Sequence, residues 1–247
     1  MTHFGLPSKA RIRRGLEAML RLQVVRGFEH GHRDCTDIGR SGCEVSVVFD
    51  VGANIGQSAD KFAEAFRHAR IYSFEPASRT FHALDSAVRN RKNVSCHCLA
   101  LGRTDGKATL YLTGAPDANS STNSLIEPRN PVGTELVEMR TIDGFARDAN
   151  IARVDLLKID AEGFDLEVLI GAREMLTEQR VAFVLVEVGF DPSDKRHVLF
   201  DDVRSFLSQY RFSVFGFYEQ QPEWSGEKRL RFANVCFSNE SAFQRRD

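Results

Sequence analysis

The stretch VVFDVGANIGQSADKF, residues 47–62, decides the fold of this chain. Its first residues are apolar, which is typical of a strand that is covered on both faces of a sheet. An aspartate interrupts the run, two glycines and an asparagine follow, and the next residues have the apolar spacing of an amphipathic helix. A buried strand, a glycine-rich turn and a helix in direct succession predict the start of an α/β domain.

The same alternation continues along the chain. Apolar runs near 69–76, 93–101, 154–160 and 181–188 predict four further strands, and helical patterns separate them, with Ser78 as the predicted N-cap of the second helix. A helix near 195–210 and two final strands complete the pattern. This order predicts a doubly wound, mostly parallel sheet with right-handed crossovers.

Two segments depart from the alternation. Residues 106–140 contain two predicted strands around a long polar loop, and a loop of that length in a compact domain is usually functional or mobile. Its NSSTNS stretch, 119–124, either hydrogen-bonds a polyol or is simply solvated. Residues 9–26 have the spacing of an amphipathic helix, and 27–44 are predicted to be a loop.

The composition limits the classes of function. With 33 basic and 34 acidic residues the net charge is −1, which gives no general electrostatic reason to expect nucleic acid as a partner. No apolar stretch reaches the length of about 18 residues that a membrane span requires. The five cysteines form no CxxC pair, which is typical of reduced thiols, so we expect a cytoplasmic protein.

The loop after the first strand indicates a cofactor. Glycines at the N-terminus of a helix let a ligand approach the backbone, so Gly52, Ala53, Asn54 and Gly56 are predicted to line a crevice. Asn54 replaces the middle glycine of a dinucleotide loop, and Asp50 would repel a diphosphate. Together with Glu75, an acid placed to bind ribose hydroxyls, this pattern favours S-adenosylmethionine, a cation without phosphate.

Four motifs in this order resemble the FkbM-type family of S-adenosylmethionine-dependent methyltransferases: FDVGANIGQSA, YSFEPASRTFHAL, LLKIDAEGFDLEVLIGA and LVEV. The resemblance covers roughly residues 45–190. It implies the class I methyltransferase fold, Rossmann-like and seven-stranded with an antiparallel last strand, here carrying an N-terminal helical extension. It also implies methyl transfer to a hydroxyl of a sugar, a glycolipid or a secondary metabolite.

Carried over by position, the resemblance assigns the cofactor to residues on three strand ends. They are Asp50, Gly52, Ala53, Asn54, Gly56 and Ser58 of the first loop, Glu75 and Pro76 of the second, and Ala100 and Leu101 beside the adenine.

Three acids are candidates for the reacting centre. Asp160 and Glu187 end neighbouring predicted strands, so we expect them beside the transferred methyl group, as a base and as an orienting group. With Glu162 they could instead hold a divalent cation, since hard cations take oxygen ligands. Glu162 could also simply cap the following helix. Lys158 is predicted to reach an acid at the sheet edge, and His30 and His32 are reserve candidates for the base.

The sequence therefore predicts an O-methyltransferase that acts on a small or glycosylated acceptor. A nicotinamide-dependent oxidoreductase and a catalytically silent cofactor-binding module are the alternatives. We expect residues 45–247 to form the methyltransferase domain and residues 1–44 to form a helix and loop that cover the acceptor site. The residues that would choose the acceptor lie outside the family motifs, and the sequence does not indicate an oligomeric state.

Overall fold

A computed structural model describes residues 33–113, 123–128, 130–194, 196–222 and 229–243. The helices are α1 Arg33–Arg40, α2 Gln57–Ala65, α3 Ser78–Val88, α4 Ile142–Asp148, α5 Asp165–Ile170, α6 Arg173–Thr177 and α7 Phe200–Ser208, with a final 3₁₀ turn at Glu240–Phe243. The strands are β1 Val47–Val51, β2 Arg70–Phe74, β3 Val94–His97, β4 Ala100–Leu101, β5 Gly106–Leu112, β6 Gly133–Arg140, β7 Val154–Ile159, β8 Val181–Gly189, β9 Val198–Leu199, β10 Ser213–Pro222 and β11 Leu230–Ser238.

The main sheet has the order β3-β2-β1-β7-β8-β11-β10, and the two-residue β9 pairs with β8. Strands β1, β2, β3, β7 and β8 run parallel, while β11 is antiparallel to both of its neighbours. The predicted doubly wound fold with seven principal strands is thus confirmed. Its order reverses between β1 and β7, and in open α/β sheets ligands bind at such a reversal, outside the carboxyl ends of the strands.

Both faces of the central strands are covered, which explains their uninterrupted apolar sequences. Phe49, Leu157 and Val186 belong to one apolar core together with the buried residues of α4 to α7. Val48, Leu156 and Leu185 belong to a second core on the opposite face, with side chains of α1 and α2. Every residue of β1 and β7 is buried, so the ends of these strands are held rigidly by packing on both sides.

Residues 27–44 were predicted to be a loop, but α1 occupies Arg33–Arg40. Cys35 and Ile38 are buried in the second core, and this contact stabilises a helix too short to be stable alone. Asp34–Asp247 form one compact unit, so α1 is part of it. The predicted helix at 9–26 and its role as a cover lie outside the described residues.

The segment that departs from the alternation forms a second, smaller sheet of order β4-β6-β5. The predicted third strand ends at His97, and Ala100–Leu101 pair with Met139–Arg140 of β6 instead of with the main sheet. A small apolar cluster that includes Ala77, Leu110 and Val137 holds this sheet in place. The small sheet is therefore packed against the main domain through Ala77, which directly precedes α3.

Two helix predictions needed correction. Ser78 is not an N-cap: Ala77 occupies that position, and the Ser78 hydroxyl donates to the carboxylate of Glu135 on β6. The single helix predicted after β7 is divided into α5 and α6 at Gly171. A Cβ atom on Gly171 would lie 2.1 Å from the carbonyl oxygen of Gly102, so this contact requires glycine.

In the part of the chain that the structure describes, no helix is long and apolar enough to cross a membrane.

Candidate active site

A crevice opens at the carboxyl ends of β1, β2 and β7, where the strand order reverses. Its empty space, including the open mouth, is about 640 Å³. The walls are formed by Val51, Gly52, Asn54, Phe74, Glu75, Pro76, Leu99, Ala100, Leu101, Leu110, Asn123, Leu125, Asp160, Ala161, Glu162 and Phe164. Six of the ten residues predicted to hold the cofactor are among them: Gly52, Asn54, Glu75, Pro76, Ala100 and Leu101.

The loop after β1 takes a conformation that its sequence allows. Gly52 has a φ of +70°, and an added Cβ would lie 1.9 Å from the backbone oxygen of Asp160. Asn54 is also left-handed, with a φ of 48°, and asparagine tolerates that conformation better than most residues. The amide groups of Gly52 and Ala53 both donate to the Phe74 carbonyl oxygen at 3.0 Å. The loop is therefore tied to the ends of both neighbouring strands.

Glu75 connects this loop to the end of β2. Its carboxylate accepts hydrogen bonds from the amides of Asn54, at 3.1 Å, and Ala77, at 3.0 Å. Burial outweighs these two donors and raises the pKa of Glu75 to about 7. Glu75 thus lies in the crevice with a carboxyl group that titrates near neutral pH.

Asp50 does not line the crevice, contrary to the predicted contact with the cofactor. It is fully buried, because β1 is covered on both faces, and its carboxylate accepts hydrogen bonds from the hydroxyls of Ser58 and Ser73. Ser58, which was also predicted to touch the cofactor, instead bonds Asp50 at 2.8 and 2.9 Å. Asp50 and Ser58 therefore stabilise the loop after β1 from its buried side, away from the crevice.

Ala53 and Gly56 also lie behind the crevice wall. Ala53 packs in an apolar cluster with Leu84 and Val88 of α3. Gly56 has a φ of +102°, and an added Cβ would approach the same two side chains to 3.2 and 3.3 Å. The two small residues let α3 pack closely against the loop, so their part in the site is to fix its position.

Lys158 is buried next to the crevice, with its ammonium between the carboxylates of Asp50 and Asp160. Its ammonium lies 3.4 Å from the Asp50 carboxylate and 3.5 Å from that of Asp160, and it donates to the Gly52 carbonyl oxygen at 3.1 Å. Burial lowers the pKa of Lys158, but Asp160 and Asp50 outweigh burial and raise it above its usual value. The expectation that Lys158 reaches an acid is thus met by two acids, one on each side of the loop.

Asp160 and Glu162 form the wall opposite Glu75. The Asp160 side chain is 38% exposed, the most open of the acids that Lys158 contacts. Glu162 lies 3.5 Å from the Arg196 guanidinium, and burial together with Asp160 raises its pKa. It does not cap a helix: α5 begins at Asp165, whose own carboxylate accepts from the amides of Ala161 and Gly163.

Glu187 is on β8, outside the residues that line the crevice. Its carboxylate lies 3.1 Å from Nε2 of His197, and Nδ1 of the same ring lies 2.9 Å from Asp194. Burial lowers the pKa of His197, but hydrogen bonds to both carboxylates outweigh burial and raise it. The ring also stacks on Phe232, with centroids 4.6 Å apart. The imidazole thus joins β8 to the segment that follows it.

The prediction of a divalent cation is not supported. Each of the three candidate ligands is paired with a different basic side chain: Asp160 with Lys158, Glu162 with Arg196 and Glu187 with His197. Within the described ranges, no group of three or more His, Cys, Asp or Glu side chains is arranged to hold a metal ion. The carboxylate oxygens that a hard cation would need as ligands are therefore already in ion pairs with basic side chains.

Several site features were not found from the sequence. Leu110, Asn123 and Leu125 reach the crevice from the small sheet and the chain next to it. Of the NSSTNS stretch, Asn123 lines the crevice and the Ser124 hydroxyl donates to the Glu162 carbonyl oxygen at 3.0 Å, whereas 119–122 lie outside the described residues. The pairing of His197 with Glu187 and Asp194 was also not found from the sequence. His30 and His32 are not among the described residues.

The charges of the crevice are all of one sign. Its charged lining side chains are Glu75, Asp160 and Glu162, and no lysine, arginine or histidine is among the described residues that line it. Three carboxylates would repel a diphosphate, whereas they attract a sulfonium and an ammonium. The charges of the crevice therefore fit S-adenosylmethionine better than a nicotinamide dinucleotide.

The sequence was compared with known proteins. The methyltransferase FkbM domain matches residues 50–214, more than half of the chain. Methyltransferase 1 of Beauveria bassiana is 30% identical over 51% of this chain and 58% of its own length. The hexuronic acid methyltransferase AglP of Haloferax volcanii is 28% identical, over 63% of this chain and 62% of its own. The 2-O-methyltransferase NoeI of Sinorhizobium fredii is 26% identical over 56% of this chain and 61% of its own length.

The chain thus spans roughly three fifths of the length of each of these relatives. The domain match extends from Asp50, near the end of β1, beyond α7, so it includes all the residues that line the crevice. It confirms the resemblance carried by the four sequence motifs: the chain belongs to the family of FkbM methyltransferase domains.

Proposed function

We propose that this protein is an S-adenosylmethionine-dependent O-methyltransferase that acts on a hydroxyl of a sugar, a glycolipid or a secondary metabolite. The observation that carries the proposal is the crevice at the strand-order reversal, which joins the glycine loop, Glu75 and Asp160 and carries only acidic charge among its described lining residues. Membership of the FkbM methyltransferase family supports the reaction type.

Residues of two strand ends would hold the cofactor. Glu75 would accept hydrogen bonds from ribose hydroxyls, and the backbone at Gly52 and Asn54, which lines the crevice, would face the methionine portion. Leu99, Ala100 and Leu101 offer an apolar surface for the adenine. When bound, S-adenosylmethionine supplies an activated methyl group on a good leaving group.

Asp160 is the proposed general base. It lies in the crevice with an exposed carboxylate, so it can accept the proton of an acceptor hydroxyl, and Lys158 fixes its position. Positioned bases typically contribute about 10²–10⁴-fold in rate. Glu187, whose carboxylate is held by His197, is the proposed orienting group on the acceptor side.

The proposed acceptor class rests on two relatives and on the lining of the crevice. AglP is named for a hexuronic acid and NoeI for 2-O-methylation. In this chain, Asn123 adds an amide to the carboxylates of Asp160 and Glu162, and such groups hydrogen-bond hydroxyls. A small or glycosylated acceptor is therefore favoured over nucleic acid.

The proposal is tested by incubating the protein with radiolabelled S-adenosylmethionine and a panel of sugar, glycolipid and polyketide acceptors. We expect transfer to a hydroxyl of at least one class, and Asp160→Asn should lower that rate about 10²–10⁴-fold. Adding EDTA should leave the rate unchanged. Asp148→Asn, an exposed aspartate at the end of α4, is the matched control. Full activity of Asp160→Asn would contradict the assignment of the base.

Cofactor affinity is expected to depend on the protonation of Glu75. Because burial raises its pKa to about 7, the carboxylate is ionised at pH 8 and largely protonated at pH 6. A protonated carboxyl accepts fewer hydrogen bonds, so affinity for S-adenosylhomocysteine should fall about tenfold when the pH falls from 8 to 6. Calorimetric titrations across this range measure the effect.

Glu75→Ala should bind S-adenosylhomocysteine about 10–100-fold more weakly, the usual cost of a lost charged hydrogen bond, and without the pH dependence. Glu138→Ala, an exposed glutamate of β6, is the control. A Glu75→Ala protein with the affinity of the wild type would remove Glu75 from the cofactor site. The same titrations with NAD test the oxidoreductase alternative, for which we expect no binding.

A further inference from the structure

The charges of three neighbouring side chains, Asp50, Lys158 and Asp160, do not cancel. Lys158 carries one positive charge, and its ammonium is shared between two carboxylates, Asp50 at 3.4 Å and Asp160 at 3.5 Å. The same ammonium also contacts the carbonyl oxygens of Val51 and Gly52. Asp50, Lys158 and Asp160, the charged trio, therefore carry a net charge of about −1 when both acids are ionised.

The excess charge of the trio is directed at the crevice. Asp50 is fully buried, and the hydroxyls of Ser58 and Ser73 satisfy its carboxylate from behind the loop. Asp160 is the member that lines the crevice, and its side chain is 38% exposed. A ligand in the crevice thus meets the negative end of the trio, without a basic side chain among the described residues that line the same space.

We propose that Asp160 is the counter-charge of the cofactor's sulfonium, so that the crevice distinguishes the methyl donor from its product, whose sulfur is neutral. The inference rests on the proposed function. S-adenosylmethionine and S-adenosylhomocysteine differ by one methyl group and by the positive charge on sulfur. Only this charge gives the two ligands a different electrostatic interaction with the Asp160 carboxylate. The carboxylate therefore favours retention of the donor and release of the product.

The neighbouring acids are less suited to this role. Glu162 is paired with Arg196, and burial raises its pKa, which favours its neutral form. Glu75 lies directly after β2, where the amides of Asn54 and Ala77 donate to its carboxylate, and its proposed partner is the ribose and not the sulfonium. Asp160 combines access to the crevice with an ionic partner, Lys158, at 3.5 Å.

The test measures the affinities of wild type and Asp160→Asn for S-adenosylmethionine and for S-adenosylhomocysteine by calorimetry, without an acceptor. The ratio of the two affinities cancels the contacts that both ligands share. In Asp160→Asn we expect S-adenosylmethionine to lose about fivefold in affinity relative to S-adenosylhomocysteine, the size of one strong surface ion pair. Asp160→Ser, which removes the charge with a smaller side chain, should give the same shift.

Asp148→Asn, outside the crevice, should leave the ratio unchanged. An unchanged ratio in both Asp160 variants would overturn the inference while leaving the proposed function intact. A shift caused by a gain in S-adenosylhomocysteine affinity, with S-adenosylmethionine unchanged, would also overturn it. If the wild type binds neither ligand, both the inference and the proposed cofactor are wrong.

Discussion

Replacing Gly52 with alanine is expected to destabilise the protein by about 2–5 kcal/mol, the sum of left-handed backbone strain and overpacking. The φ of Gly52 is +70°, and the new Cβ would lie 1.9 Å from the backbone oxygen of Asp160. Because that oxygen belongs to the chain directly after a fully buried strand, it cannot move away easily. The loop would have to separate from β7, and we expect the variant to lose cofactor binding.

Thermal unfolding and calorimetric titration with S-adenosylhomocysteine measure the two effects. Gly39→Ala is the matched control, because a Cβ at this position of α1 meets no atom within 4 Å. Alanine is the better helix former, so the control should be neutral or slightly more stable. If Gly52→Ala melts at the wild-type temperature and still binds, the close contact between the loop and β7 is not essential.

Replacing Lys158 with methionine is expected to lower the free energy of unfolding by about 3–5 kcal/mol, the usual cost of breaking a buried ion pair. Methionine has a similar length but no charge, so Asp50 would stay fully buried without its cation. The Gly52 carbonyl oxygen would also lose its donor. Denaturant unfolding at pH 7 measures the difference.

The double variant Asp50→Asn with Lys158→Met is the decisive comparison. Asparagine keeps an acceptor for Ser58 or Ser73 but carries no charge, so the double variant should recover a large part of the lost stability. A double variant that is less stable than Lys158→Met would show that the loss comes from packing and not from an uncompensated carboxylate. Lys107→Met, at an exposed position of β5, controls for loss of a lysine elsewhere.

The fold was predictable because its main signals are local. The apolar run at 47–51 and the glycines that follow it require a buried strand and a tight turn, whatever the rest of the chain does. Local patterns could not predict which strands pair. Residues 100–101 have the composition of a buried strand, and only their contact with β6 places them in the small sheet. In the same way, α1 forms because Cys35 and Ile38 pack on the core.

The sequence by itself determined the strand–loop–helix unit, the alternation behind it and the identity of the acids at the strand ends, since backbone conformation and apolar spacing depend on near neighbours. Only the tertiary structure decided which acids face the crevice. Asp50 and Asp160 each end an apolar run, yet Asp50 is enclosed by Ser58 and Ser73 while Asp160 stays open. The physical reason is that burial and ion pairing depend on residues far apart in the chain, as Lys158 shows by contacting the loop 106 residues before it.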